Sequence, residues 1–195
     1  MAQSTEGSDA APLAQALAGD RDAFCVLVER HSSSLFRLAY RMTGNEHDAE
    51  EVVQETFLKA FRRLDKFEAR ANFGTWLYRI GVNCSLDLLR KRRPEEERHA
   101  VAEAEDDDPV KEIATADPAP DRLALSGEIG RQVEGAMMKL SPMERAAFVM
   151  RHHEGMSISE IGRALGMGTN ATKNSVFRAV QKLRRELEPL VSRAR

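Results

Sequence analysis

Asn170, Thr172, Lys173, Asn174 and Ser175 crowd hydrogen-bonding side chains into six residues, and Arg178, Lys182, Arg184 and Arg185 follow. At the start of a helix, amides and hydroxyls can reach base edges in a major groove, while the cations behind them suit phosphates. A second set, Asn72, Phe73, Trp76, Arg79, Asn83, Arg90, Arg92 and Arg93, mixes aromatic rings and amides with cations. Stacking on unpaired bases and neutralising their backbone needs this mixture. A third set, Asp48, Glu51, Gln54, Glu55 and Leu58, has the three- and four-residue spacing of a single helix face. An exposed leucine among acids points to a protein partner. Each set also has a plainer reading: a solvated basic helix, a tryptophan anchoring a core, an ordinary surface leucine.

Covalent chemistry finds little to work with. The chain has no glycine-rich phosphate loop, no metal-ligand spacing and no nucleophile motif, and adjacent His152 and His153 point to different faces of a helix. Cys25 and Cys84 form no C-x-x-C pair and fall on apolar helix faces, which reads as core thiols in a reducing compartment. The expectation is a binding protein without cofactor or metal, not an enzyme. The N-terminus lacks a signal-peptide pattern and no apolar run could span a bilayer, so a cytoplasmic location without membrane insertion is expected.

The elements that must carry these residues are helices. Ala, Leu, Arg and Glu dominate the periodic stretches and no strand pattern appears, giving an all-α expectation. Residues 1–12 read as a disordered tail. Residues 13–93 read as a helical module in which Asp20 caps a helix ended by Gly44 and Asn45 or Asp48 starts the next. That next helix carries the stripe Ala49, Val52, Val53, Phe57, Ala60, Phe61 and Leu64. After a loop from Phe67 to Gly74, Thr75 is the expected cap of a helix burying Trp76, Leu77, Ile80, Cys84 and Leu88 and ending at Arg93. Residues 94–122, with Glu95–Glu97, Asp106–Asp108, Pro109, Pro118 and Pro120, read as a flexible acidic linker.

Residues 123–190 form the second module. Ser141 with Glu144 and Ser157 with Glu160 are capping boxes, and Pro142 sits at a first helical position. Ile158, Ile161 and Leu165 give a short helix, Gly166 a turn, and Val176, Val180, Leu183 and Leu187 the buried side of a longer basic helix, which is helix-turn-helix grammar. Charge follows the same division. Lys/Arg against Asp/Glu run 14 to 13 over residues 1–93, 3 to 12 over 94–128 and 12 to 6 over 129–195, so differences of +1, −9 and +6 underlie the overall −2. The excess of positive charge lies in the module with the helix-turn-helix pattern.

The stretches "DAEEVVQETFLKAFRRLDKF", "TWLYRIGVNCSLDLLRKRR", "LSPMERAAFVMRHHEGMSISEIGRALGM" and "RAVQKLRREL", in that order, resemble extracytoplasmic-function sigma factors of the sigma-70 family. The resemblance implies a sigma region 2 bundle and a sigma region 4 helix-turn-helix. Region 2 would dock on core RNA polymerase through Asp48, Glu51, Gln54, Glu55 and Leu58. It would hold an unpaired base of the −10 element with the Phe67–Gly74 loop and assist melting, with Asn72, Phe73 and Asn83 as candidates. Region 4 would read the −35 element of promoter DNA through Thr172, Lys173, Asn174 and Arg178. The implied partners are core polymerase, promoter DNA and an anti-sigma factor.

Two other readings have their own signatures. A sigma mimic that sequesters an anti-sigma protein would carry a receiver domain and a weakened basic surface. An ordinary helix-turn-helix repressor would need neither the acidic linker nor the Leu58 face.

Overall fold

The computed structural model describes the backbone of residues 6–67, 72–102 and 122–193, and the side chains of 9–67, 72–92 and 129–189. Among the described residues every regular element is helical. The first module comprises α1 (Glu6–Leu17), α2 (Arg21–Thr43), α3 (Glu46–Arg62), a 3-10 turn at Leu64–Lys66, and α4 (Phe73–Ala102). The second comprises α5 (Arg122–Met138), α6 (Pro142–His152), α7 (Ile158–Leu165) and α8 (Thr169–Arg193).

Local chemistry fixes the helix ends. Asp20 accepts from the amides of Asp22 (2.9 Å) and Ala23 (3.2 Å), satisfying donors that α2 cannot pair internally. Gly44 closes α2 at φ +71°, a left-handed conformation that costs a side-chain-bearing residue energy, and its N–H donates to the Tyr40 carbonyl. Asn45 then accepts from Asp48 N, so α3 returns along α2 as a hairpin that α4 covers. Leu27, Leu35, Leu38, Met42, Val52, Leu77 and Val82 are shut off from water between these three helices. At about 1.5–3 kcal/mol for each such side chain, this core outweighs any local preference.

Several expectations need correction. The segment expected to be a tail is helical from Glu6, because buried Asp9 reaches His31 Nε2 at 2.8 Å and Arg30 at 3.3 Å and pins α1 to α2; residues 1–5 lie outside the described part. Asn72, not Thr75, caps α4: its Oδ1 accepts from Thr75 N at 2.7 Å. That helix runs through Pro94 to Ala102 instead of stopping at Arg93, and the strong helix formers from Glu95 to Glu97 outweigh the missing proline donor. The acidic segment 103–121 lies outside the described residues. Cys25 is exposed rather than buried, and Phe61, expected in the core stripe, is 45% exposed with its ring edge-on to Phe24.

In the second module both capping boxes form, Ser141 with Glu144 and Ser157 with Glu160. Gly166 makes its turn at φ +66°, bringing α8 across α6 and α7. The two modules also pack on each other, α5 and α6 against α2, and α6 and α7 against α4. One residue organises that contact. Arg145, on α6 and almost wholly buried, donates to the carbonyls of Met137 (3.0 Å), Met138 (2.9 Å) and Leu140 (3.3 Å) at the end of α5, and to the carbonyl of Met42 at the end of α2. Two helix C-termini, each with unpaired carbonyls and partial negative charge, therefore converge on one guanidinium. Burial alone pushes the proton affinity of Arg145 down from the usual guanidinium value.

Candidate nucleic-acid interfaces

A helix turns about 100° per residue, which sorts the α8 candidates into two groups. Asn170, Lys173, Asn174 and Arg178 are exposed and share one face with Phe177 and Gln181. Thr172 and Ser175 are buried with Ala179 and Leu183, and Thr172 Oγ1 donates to the Gly168 carbonyl at 3.0 Å. They seat α8 on the module and present no hydroxyl outward, contrary to expectation. Their small polar side chains interrupt the apolar pattern that would have marked the inner face.

The cations of α8 have a buried organiser. Glu144, capping α6, accepts from Ser141 N at 3.1 Å, from Lys182 Nζ at 2.7 Å, and lies 3.6 Å from Arg178 Nε. Burial pushes the Glu144 carboxyl up, but the hydrogen bonds from Lys182 and Ser141 win and hold it below its ordinary value of 4.5. Lys182 is thus half-withdrawn toward Glu144, while Arg178 keeps most of its side chain in solvent. Glu186, the acid beside Arg185, is drawn to Lys139 at 2.6 Å. From Thr169 to Arg185 the exposed face carries Lys173, Arg178, Arg184 and Arg185 and no carboxylate.

On α4 the expected single-strand face is only partly outward. Phe73 is buried at 2% exposure, packed edge-on to His31 (5.4 Å between centroids) and Phe67 (6.0 Å), with Trp76 at 5.7 Å. It anchors the loop and does not meet solvent, which corrects its expected role; a phenylalanine beside a glycine gives no sign of which way it turns. Trp76 is half-buried against Phe67 at 5.3 Å, and Asn72 and Asn83 are exposed. Arg90 lies in solvent with Asp87 at 3.2 Å, and half-exposed Arg79 approaches Glu160 of α7 closely enough to help hold that carboxyl low, after the hydrogen bonds from Ser157. Loop residues 68–71 and the side chain of Arg93 lie outside the described residues.

The α3 face divides in the same way. Glu51, Gln54 and Leu58 are exposed, Leu58 at 51%, and half-exposed Glu55 pairs with Lys59 at 3.3 Å. Beside Leu58 an apolar cleft runs along Phe24, Phe57 and Phe61. Asp48, expected on this face, is buried and ion-paired with Arg92, an expected DNA contact, so these two residues join α3 to α4. Among the described residues no cluster of three or more His, Cys, Asp or Glu could hold a metal, and no helix is long and apolar enough to cross a membrane.

Residues 27–95 match sigma-70 region 2, which takes in the α3 and α4 candidate faces, and residues 130–183 match sigma-70, region 4, which takes in most of the α8 face. The chain belongs to the sigma-70 family. Within it, the chain is an extracytoplasmic-function sigma factor. It is 32% identical over 173 residues to the ECF RNA polymerase sigma factor SigW of Bacillus subtilis, covering 88% of this chain and 92% of that one. It is 37% identical over 182 residues to the ECF RNA polymerase sigma factor SigM of Mycobacterium tuberculosis, covering 93% and 86%. Among solved structures, that of CnrH in complex with the cytosolic domain of CnrY superposes with a TM-score of 0.63 at 31% identity, covering 93% of this chain and 97% of CnrH. As a sigma factor, the protein directs promoter-specific transcription initiation when bound to RNA polymerase. Sequence reasoning missed the exposed Phe177 on the outward face of α8 and the buried Arg145 between the modules. Their helical positions were computable, but a phenylalanine reads as core and an arginine as surface.

Proposed function

We propose that the outward face of α8, with Asn170, Lys173, Asn174 and Arg178, reads the −35 element in duplex form, and that Lys182, Arg184 and Arg185 hold its phosphates. The observation that carries this is a carboxylate-free stripe of amides and cations beginning at the exposed N-terminus of a helix-turn-helix second helix. In the first module, Asn72, Trp76, Arg79, Asn83 and Arg90 form the surface for the unpaired −10 strand, and holding a flipped base there offsets its lost stacking during melting. Glu51, Gln54, Glu55 and Leu58 dock on core polymerase. The protein works as a regulator without catalysis of its own, in the cytoplasm where the polymerase is.

A protein regulator of the anti-sigma kind fits the cleft between the modules. Phe36, Tyr40, Met138, Phe148, Leu183 and Leu187 line an apolar space of about 790 Å³ there, room for the nonpolar side of a helix. The relative CnrH is held by the cytosolic domain of CnrY.

Run-off transcription from a genomic promoter library, with core polymerase alone and with this protein added, tests the assignment. Discrete new starts sharing two spaced elements are expected. Lys173→Ala and Asn174→Ala together should lose the upstream element while polymerase binding persists. Start sites unchanged by that double substitution would remove α8 from promoter reading.

A further inference from the structure

We infer that Phe177 is a specificity-determining residue that reads thymine, its ring packing on the 5-methyl group of one thymine in the duplex element under α8. The inference rests on the reading of α8 as the duplex-contacting helix. Phe177 is 63% exposed, the highest value among the exposed large apolar side chains of the described residues, and none of the others is on α8. Its neighbours one helical turn away are Lys173, Asn174 and Gln181, and Arg178 follows it, all outward-facing. The ring therefore stands alone in a polar, cationic stripe.

That setting selects the ligand. A protein interface centred on Phe177 would need contiguous apolar surface around it, which this stripe lacks. A duplex offers phosphates for Lys173 and Arg178, base-edge donors and acceptors for Asn170 and Asn174, and one apolar feature in the major groove, the thymine methyl. Position agrees with chemistry. Asn170 and Phe177 are seven residues apart, about 10 Å of helix rise, which is roughly three base-pair steps. Phe177 thus lies within reach of the same groove segment, past the bases nearest the helix start. Because the ring is already in solvent and unsupported by core contacts, its removal leaves the fold of α8 intact.

Replacing thymine by deoxyuridine deletes that methyl and nothing else, which supplies the test. Holoenzyme made from core polymerase and the full chain selects an upstream duplex element from a random library. Each thymine of the element is then replaced singly by deoxyuridine, and binding is measured for the wild-type and Phe177→Ala holoenzymes. At one position the replacement should weaken wild-type binding about fourfold, the value of one buried methyl, and leave the Phe177→Ala protein unaffected. Phe177→Leu should retain part of the discrimination. Equal sensitivity in both proteins, or no sensitive thymine in the wild type, overturns the inference while leaving the reading of α8 standing. Loss of holoenzyme assembly in Phe177→Ala overturns it in favour of a polymerase contact. If the wild-type holoenzyme selects no upstream duplex element, the reading of α8 itself falls, and the inference with it.

Discussion

Replacing Arg145 by methionine keeps the length of the side chain and removes the charge that four carbonyls share. Three of those acceptors lie at the end of α5, in its own module; the fourth, at Met42, belongs to the other. A hydrogen bond to a charged group contributes about 1.5–3 kcal/mol net. The cross-module bond alone therefore biases the packed arrangement by roughly 10- to 150-fold over a separated one. Loss of the other three destabilises the second module by about 2–4 kcal/mol, since the freed carbonyls at a helix end can partly recover water. Small-angle scattering reads the first effect. A packed chain of 195 residues has a radius of gyration of about 16 Å, and two modules with centres about 45 Å apart give about 25 Å. The wild type should lie near the lower figure and Arg145→Met well above it, with helical circular dichroism retained and the urea midpoint lowered. A folded Arg145→Met protein as compact as the wild type, or a wild type already near 25 Å, would refute the role assigned to this residue.

Gly44→Ala separates backbone strain from packing. A Cβ there would stand 2.5 Å from Met138 Sδ, which the flexible methionine can turn away from, while the left-handed backbone costs about 1 kcal/mol; the urea midpoint should fall, scattering should stay near the wild-type value, and adding Met138→Ala should not recover the midpoint. Glu154 lies between the modules, and burial raises its carboxyl above 4.5 despite the opposing charges of Arg41 and Arg37. Because a raised acid favours the folded state when protonated, the contribution of Glu154 should increase as pH falls from neutrality toward 4.5, against neighbouring His153, whose lowered proton affinity works the other way; in urea titrations the wild type should gain stability relative to Glu154→Gln as pH falls across that range. Leu58→Asp should leave thermal stability within about 0.5 kcal/mol, as an exposed substitution does, yet abolish co-purification with core polymerase.

How much was legible in the sequence depended on how local the signal was. The caps at Asp20, Asn45, Ser141 and Ser157, the turns at Gly44 and Gly166, and the helix-turn-helix were readable because each is decided within a few residues. The start of α1 was not, because Asp9 is ordered by His31 and Arg30, more than twenty residues away. The inward turn of Phe73 and the pairing of Asp48 with Arg92 are likewise tertiary. In the candidate sites, residue types gave the chemistry and the α8 wheel gave the direction. Thr172 and Ser175 were misassigned because hydrogen-bonding capacity was weighed above angular position.

The acceptors of Arg145 are all neutral carbonyls, and the group is almost wholly buried. Mobile ions screen charges they can approach, over about 10 Å at 0.1 M, and cannot enter such a contact. If the exposed cations of α8 hold phosphates as proposed, they obey the opposite rule, since each phosphate contact releases counterions and its affinity falls as a power of ionic strength. Raising salt from 50 to 200 mM should therefore strip the chain from DNA while leaving its modules packed. Ionic strength and the Arg145 contact then become separate controls, one acting on the phosphate contacts and the other on domain opening.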